Sequence, residues 1–394
     1  MAIELSSLKF TNQADVVPAS GVEEIVNTGV ANTLAGDDII TGISTSLDTE
    51  GLGISGFYNI GTLNTSDGND IITGTSDYGI GISNYLGTIN TGNGKDVITG
   101  TSKTFGIFNR SGTIDTGDDN DIITGIGTNS GGIANQGAIK TGNGNDIIKG
   151  TTSNGSGIQN SLNSSIDTGE GNDIITATGN YYILYNNGSI NTGNGNDSII
   201  AEENGNLPLY NSVNGGTIDT GTGNDSILLQ GGLYNSGGVF LGEGNDSLAL
   251  TPSKFFPNHA LANYSVIDTG DGDDIITSTG VIYNEGVFSE GVINTGNGKD
   301  SLIAEGGFEG TGNVFLGNGK DYLKTFGSGN FDGENGKDTL ELTSGIYTVG
   351  ISATGVNFTK GSIIMNTSGF EELIAGSITY NFNRLTNGQT ISVV

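Results

Sequence analysis

A chain of 394 residues with 43 acids against 13 Lys plus Arg, net charge −30, offers no positive footprint with which to grip nucleic acid. Hydrophobic residues make up 34%, lean for a globular core of this length yet too rich for a disordered tail, while 70 glycines are about 18% against a usual level of roughly 7%. With no Cys there are neither disulfides nor thiolate metal sites, and no apolar run is long enough to span a membrane.

Residues 1–24 hold few glycines and are expected to cover the first coil of whatever follows as an N-terminal cap. Their opening, MAIELSSLKF, lacks the basic region and apolar stretch of a cleaved signal peptide, so an exported protein would carry its signal elsewhere.

From about residue 25 to residue 340 one phrase recurs. It reads INTGNGKDVITG at residues 89–100, IDTGDDNDIITG at 114–125, IKTGNGNDIIKG at 139–150 and IDTGEGNDIITA at 166–177. Aligned on the aspartate there are thirteen copies: Asp38, Asp70, Asp96, Asp121, Asp146, Asp173, Asp197, Asp225, Asp246, Asp274, Asp300, Asp321 and Asp338. The mean spacing is 25 residues, a solenoid period. Two places after every aspartate stands an aliphatic, from Ile40 and Ile72 to Leu323 and Leu340, whereas the place between accepts Ser198, Ser226, Ser247 and Ser301. Alternation of that kind puts the invariant column inside a strand's core face and its neighbour outside.

A second aliphatic column precedes the turn, as at Leu63, Ile89, Ile114, Ile139 and Ile166. Mid-period lies a third, at Ile82, Ile107, Ile133, Ile158, Leu184, Leu209, Leu233 and Ile282. It is followed by a recurring asparagine at Asn59, Asn84, Asn109, Asn135, Asn160, Asn186, Asn211, Asn235 and Asn284, with Asn27 and Asn263 in matching frames. Three short β-prone segments per period predict an all-β parallel β-helix of about thirteen coils. Coils ~4.8 Å apart would make a rod of roughly 60 Å. The asparagines are expected to stack as side-chain amides bonded to one another and to turn backbone.

Stacking would also place the aspartates in line. Two unit charges ~4.8 Å apart repel by roughly 1 kcal/mol in water and about 3.5 kcal/mol at an effective dielectric of 20. Such a ladder needs cations between its rungs. Glycine turns can aim carbonyl oxygens, and carboxylate with carbonyl, without His or Cys, is a hard-cation set that favours Ca²⁺. Twelve gaps filled by Ca²⁺ would offset about 24 of the 30 net negative charges.

TGNGNDIIK at residues 141–149, with equivalents such as TGEGNDIIT at 168–176, resembles the nonapeptide of RTX, or haemolysin-type, calcium-binding repeats, G-G-x-G-x-D-x-U-x with U aliphatic. The resemblance implies a right-handed β-roll holding multiple Ca²⁺, up to about twelve, between stacked turns. The thirteen aspartates would be ligands, and carbonyls would come from positions such as Thr91, Asn93 and Gly94. It also implies export by type I secretion with an uncleaved C-terminal signal. The pattern departs where Thr replaces the family's first glycine, at Asp119 in TGDDND, and in the incomplete first copy LAGDD. One calcium turn per ~25 residues, rather than two per 18, predicts one row of ions along one edge. The last interval, 17 residues from Asp321 to Asp338, predicts a narrower coil.

After Leu340 the repeat stops, and residues 341–394 are expected to cap the open strand edges as a C-terminal β segment and carry the secretion signal. No catalytic constellation stands out from the repeat, so the chain is read as a non-enzyme. His259, the only histidine, lies with Lys254 in a loop-like insert, and the only arginines are Arg110 and Arg384. Tyr185, Tyr210, Tyr234 and Tyr283 precede the asparagine column and form an outward stripe suited to self-association or to sugar rings. Threonines at Thr41, Thr73, Thr99, Thr124, Thr176 and Thr277 form a column that looks suited to ice but breaks at Lys149, Ala201, Leu229 and Leu250. The resulting expectation is an exported, calcium-loaded structural protein of the cell surface or matrix. Its partners would be further copies or cell-surface polysaccharide, and its alternatives a carbohydrate-binding or adhesive module, a polysaccharide-acting enzyme or an ice binder.

Overall fold

The computed structural model describes residues 2–18, 23–46, 54–205, 212–253, 258–285 and 291–394. Among these the chain is all β apart from two single-turn 3-10 segments, Leu5–Ser7 and Phe382–Arg384. It forms two compact units, Met1–Ile218 and Asp219–Val394, each a parallel β-solenoid.

In the first unit each coil is three strands. Around Asp96 they are Val97–Ser102, Phe105–Arg110 and Thr113–Asp115, and the next coil repeats them at Ile122–Gly127, Gly131–Asn135 and Ala138–Lys140. Pairing is parallel and in register: Ile98 faces Ile123, Ile107 faces Ile133, and Ile114 faces Ile139. All six are fully buried, so each coil seals its aliphatics against the next and stability is set by neighbours. Gly100, in the middle of the long strand, points inward. A Cβ there would lie 2.1 Å from the Gly106 carbonyl oxygen, so two sides of the coil approach at backbone distance. The N-terminal segment supplies the first rung of two sheets, with Ile3 beside Ile25 and Val16 beside Ile39.

The second unit repeats this plan and then narrows. The long strands Ser226–Gly231, Ser247–Pro252, Ile275–Ser278, Ser301–Ala304 and Tyr322–Thr325 stack in parallel. Between Tyr322–Thr325 and the short strand Gly329–Asp332 there is only a bridge of Gly327 to Phe308, so the 17-residue interval has shed its middle strand. Beyond Leu342 the pairing changes. Ile363–Ser368 and Phe370–Ala375 still run parallel to the last coil, but Gly345–Ser352, Gly355–Lys360, Ile378–Asn381 and Thr390–Val393 pair antiparallel. Tyr347, Phe358, Met365, Phe370, Leu373 and Ile391 are buried there, a core of a different kind that lies over the final coil's edge.

Candidate metal centre

The turn that joins short strand to long strand carries the recurring aspartate. In the sequence Thr91–Asp96 the backbone is tied coil to coil: Thr91 N–H donates to the Asp115 carbonyl (3.0 Å), Gly94 N–H to that of Asp118 (3.0 Å), and Val97 N–H to that of Asp70 (2.8 Å). Gly94 has φ +132°, and a Cβ on it would sit 1.8 Å from the Gly68 carbonyl oxygen of the neighbouring turn. Only glycine fits. Asp119 occupies the matching place in its own coil with φ +83°, a left-handed conformation that costs a residue bearing Cβ.

Side by side, the aspartates form a hydrogen-bonded ladder in each unit. One Oδ1 accepts the backbone N–H of the aspartate one coil earlier, from Asp38 accepting Asp15 N–H (2.7 Å) through Asp70, Asp96, Asp121, Asp146 and Asp173 to Asp197 (2.8 Å). In the second unit the ladder climbs from Asp225 through Asp246, Asp274, Asp300 and Asp321 to Asp338, whose own N–H donates to Glu371 Oε2 (2.8 Å). All thirteen predicted residues are buried. Asp15 and Glu371, which end the ladders, were not legible in the repeat because neither sits in a copy of the phrase.

The second oxygen is the open one. In Asp38, Asp70, Asp96, Asp121, Asp146, Asp173, Asp246, Asp274, Asp300, Asp321 and Asp338, Oδ2 is buried with no hydrogen-bond partner. Beside the carboxyl groups runs a column of fully buried threonines, Thr65, Thr91, Thr141 and Thr168 among them. Their hydroxyls partly offset the burial of the acids. In Thr65, Thr91, Thr141 and Thr168 the hydroxyl donates to the next threonine's carbonyl, as Thr91 to Thr116 (3.2 Å), while Thr116 Oγ1 is buried without a partner. The sequence reading took these threonines for lost glycines; they are a second inward ladder.

Burial, with the neighbouring carboxylates adding to it, raises these acids well above their ordinary value of 3.8. The rise is to about 6 for Asp96, Asp146, Asp173 and Asp321, to about 7 for Asp70, Asp246 and Asp300, and to about 8 for Asp121. Asp38, Asp274 and Asp338 are raised too.

This donor set fits a hard cation. A metal ion would complete a buried carboxylate oxygen that lacks a donor, and the Gly94 and Gly171 carbonyls accept no hydrogen bond among the described residues. No three His, Asp or Glu side chains gather into one cluster among the described residues. An ion here would therefore be shared between successive rungs and filled out by carbonyl oxygens.

Other predicted features fall differently. The buried asparagines do stack as amides: Asn84 Nδ2 donates to Asn109 Oδ1 (2.8 Å) and to the Gly87 and Thr113 carbonyls, and Asn27 and Asn263 belong to such ladders. One member is corrected. The place assigned to Asn211, which lies outside the described residues, is filled by Asn214, which accepts from Asn186 (2.8 Å).

The threonine column is corrected as well. Ala201, Leu229 and Leu250 are buried in the core, one place farther along the strand. The outward rank of the first unit is Thr41, Thr73, Thr99, Thr124, Lys149, Thr176 and Ile200. It runs beside Ile39, Ile71, Val97, Ile122, Ile147 and Ile174 on one side and Ile43, Thr75, Thr101, Ile126, Thr151 and Thr178 on the other. In the second unit the outward places are Leu228, Ala249 and Thr277.

The tyrosines cluster in pairs and rows. Tyr185 packs on Tyr182 (5.2 Å between centroids), and Tyr234, Tyr264 and Tyr283 follow one another at 5.0 and 5.8 Å. Tyr210 and Lys254 lie outside the described residues. His259 stands edge-on to Tyr283 (6.5 Å) and 3.6 Å from Glu309, half exposed, while Arg110 lies over the Tyr85 ring at 5.0 Å.

No protein-family model matches the chain, and no curated protein matches it. Among solved structures it is similar to a hyperactive, Ca²⁺-dependent, β-helical antifreeze protein from an Antarctic bacterium, at 20% identity over 85% of this chain and 84% of that one, with a TM-score of 0.37. Among the described residues no helix is long and apolar enough to cross a membrane.

Proposed function

We propose that the protein is a calcium-loaded β-solenoid with a structural, non-enzymatic role outside the cell, as a surface-layer, fibril or matrix component. The observation that carries this is the row of buried aspartate Oδ2 atoms without partners, repeated coil after coil. Calcium would supply the counter-charge that each rung lacks, and the chain's own part is to hold carboxylates and glycine carbonyls in register. Extracellular calcium is in the millimolar range at which weaker sites of this kind fill, so folding would follow export from a low-calcium cytoplasm. Type I secretion, with residues 341–394 as cap and signal, completes the reading, and partners would be further copies or cell-surface polysaccharide. Equilibrium dialysis tests it: on the order of ten Ca²⁺ per chain are expected. Uptake of one ion or none would overturn it.

A second reading is favoured by the outer face of the first unit. Three in-register ranks of Thr, Ile and Val carry one charge, Lys149, from Ile39 to Thr178 in a chain of net charge −30. Stiff β-branched side chains pairing methyl with hydroxyl, repeated every ~4.8 Å, suit an ordered water surface. Ice-crystal shaping that disappears in Thr99→Tyr is the expected result. Crystals growing unmodified in the wild-type protein would retire this reading.

A further inference from the structure

Inside the second unit the non-repeating C-terminal strands make something the repeat lacks: a cleft of about 450 Å³ on the outer face of the short-strand sheet. Its floor is a row of asparagines on successive strands. Asn313 pairs across to Asn330, Asn330 to Asn366, and Asn366 to Asn357 on the antiparallel strand. The amides are polarised in one direction, Asn366 Nδ2 donating to Asn330 Oδ1 (3.2 Å) and Asn330 Nδ2 to Asn313 Oδ1 (3.1 Å). The series then stops. Among the described residues the half-buried Asn357 side chain makes no hydrogen bond, and Asn366 Oδ1 accepts none.

The adjoining row is Phe315, Asp332 and Ser368, in register. Phe315 is half-buried, so it presents part of its ring, and Asp332 spends one oxygen on the Glu334 N–H (3.0 Å). Ser352 and Thr354, joined at 3.1 Å, form the rim. The lining contains no Lys, Arg or His and a single acid.

We infer that this cleft binds a neutral oligosaccharide. Amides carry both donors and acceptors, which match hydroxyl groups that are themselves both. A partly exposed ring beside them suits the C–H face of a sugar, and a size within the ordinary range for small-ligand sites admits a few units. Phosphorylated or uronic-acid ligands would meet Asp332 with no cation to receive them. The site stands apart from the calcium reading, since none of the thirteen ladder aspartates lines it.

The test is calorimetric titration of the full-length protein, kept in excess calcium, with cellohexaose, laminarihexaose, mannohexaose and, as the acidic control, hexagalacturonate. At least one neutral hexasaccharide is expected to bind, with affinity falling tenfold or more in Asn357→Ala and in Phe315→Ala. Each variant's melting temperature is measured alongside, and Asn366→Asp, which keeps shape but adds charge and removes a donor, must also weaken binding. Silence from all three neutral sugars up to about 10 mM would overturn the inference. So would undiminished binding in folded Asn357→Ala, or equal binding of hexagalacturonate. Calcium uptake by dialysis is read separately, so failure of one claim leaves the other intact.

Discussion

Stripped of divalent cations and returned to pH 8, the protein is expected to lose most of its β-sheet circular dichroism and to regain it cooperatively on calcium titration. At least eleven buried carboxyl groups have an oxygen with nothing to bond, and the ladder sets like charges one coil apart. Each such pair repels by roughly 1 to 3.5 kcal/mol, and an unpaired buried ion costs several kcal/mol more. Either term, repeated along a ladder, rivals the 5–15 kcal/mol typical of a whole domain. The cation-free protein has one escape, protonation. Its carboxyl groups are raised to about 6, 7 or 8 in the folded state, against an ordinary 3.8. Folded chain therefore binds more protons than unfolded chain between about pH 4 and pH 8, and cation-free stability falls as pH rises through that window. Its full value is present only below about 3.8. The stripped protein should consequently be better folded at pH 5 than at pH 8, and calcium should reverse that order. Magnesium, which demands tighter octahedral geometry, should rescue poorly. Identical unfolding midpoints with calcium and with chelator at pH 8 would leave the aspartates as turn-closing devices without metal.

Much of this architecture was legible because one physical rule repeats. A residue two places after each aspartate must face the core, so Ile98, Ile123 and Ile148 declare both the strand and its inner face. The ladder was readable for the same reason, since in-register coils must align identical residues. Errors arose where local likeness outweighed counting. The Tyr-Asn ending at Asn211 copies the pattern of its neighbours, yet it stands seven residues before the core aliphatic Ile218, whereas the stacked asparagines from Asn59 to Asn263 stand four to six before theirs, and Asn284, nine before Ile293, stands farther off. Asn214, four before Ile218, satisfies that spacing and takes the place. The threonine breaks slipped by one for a similar reason. Leu229 lies four places after Asp225, but the outward column lies three after, which in a strand is the opposite face.

What could not be read was whatever escapes the period. Thr91 and its equivalents looked like glycines lost from a known nonapeptide, because their hydroxyl-to-carbonyl bonds exist only between coils. Asp15 and Glu371 end the ladders from outside the repeat. The asparagine cleft is assembled from strands as far apart as Asn313 and Asn366, with an antiparallel hairpin that no spacing announces.

The asparagine ladder yields the other large effect: Asn109→Ala should destabilise its region by about 3–5 kcal/mol. Asn109 is fully buried. Its Nδ2 donates to Asn135 Oδ1 (2.8 Å), Gly112 O (3.1 Å) and Ala138 O (3.0 Å), and its Oδ1 accepts from Asn84 Nδ2 (2.8 Å). Alanine deletes the bonds of both amide hydrogens, one of them shared between two acceptors, and the bond the oxygen accepts, each hydrogen's bonding worth ~1 kcal/mol net, and leaves a void where the amide stood. Because coils are held by their neighbours, the loss should be local rather than spread along the chain. Amide hydrogen exchange should accelerate in residues 82–85, 105–110 and 131–135, the three stacked middle strands, while the strands near Ile190 keep their protection. Asn143→Ala is the fitting control. Asn143 is exposed and donates only to Asp118 Oδ1 (2.6 Å), so its loss should stay within ~0.5 kcal/mol. Equal exchange profiles for the two variants would mean that the buried amide row only fills space, and that the stacking of this solenoid rests on its aliphatic columns and aspartate turns alone.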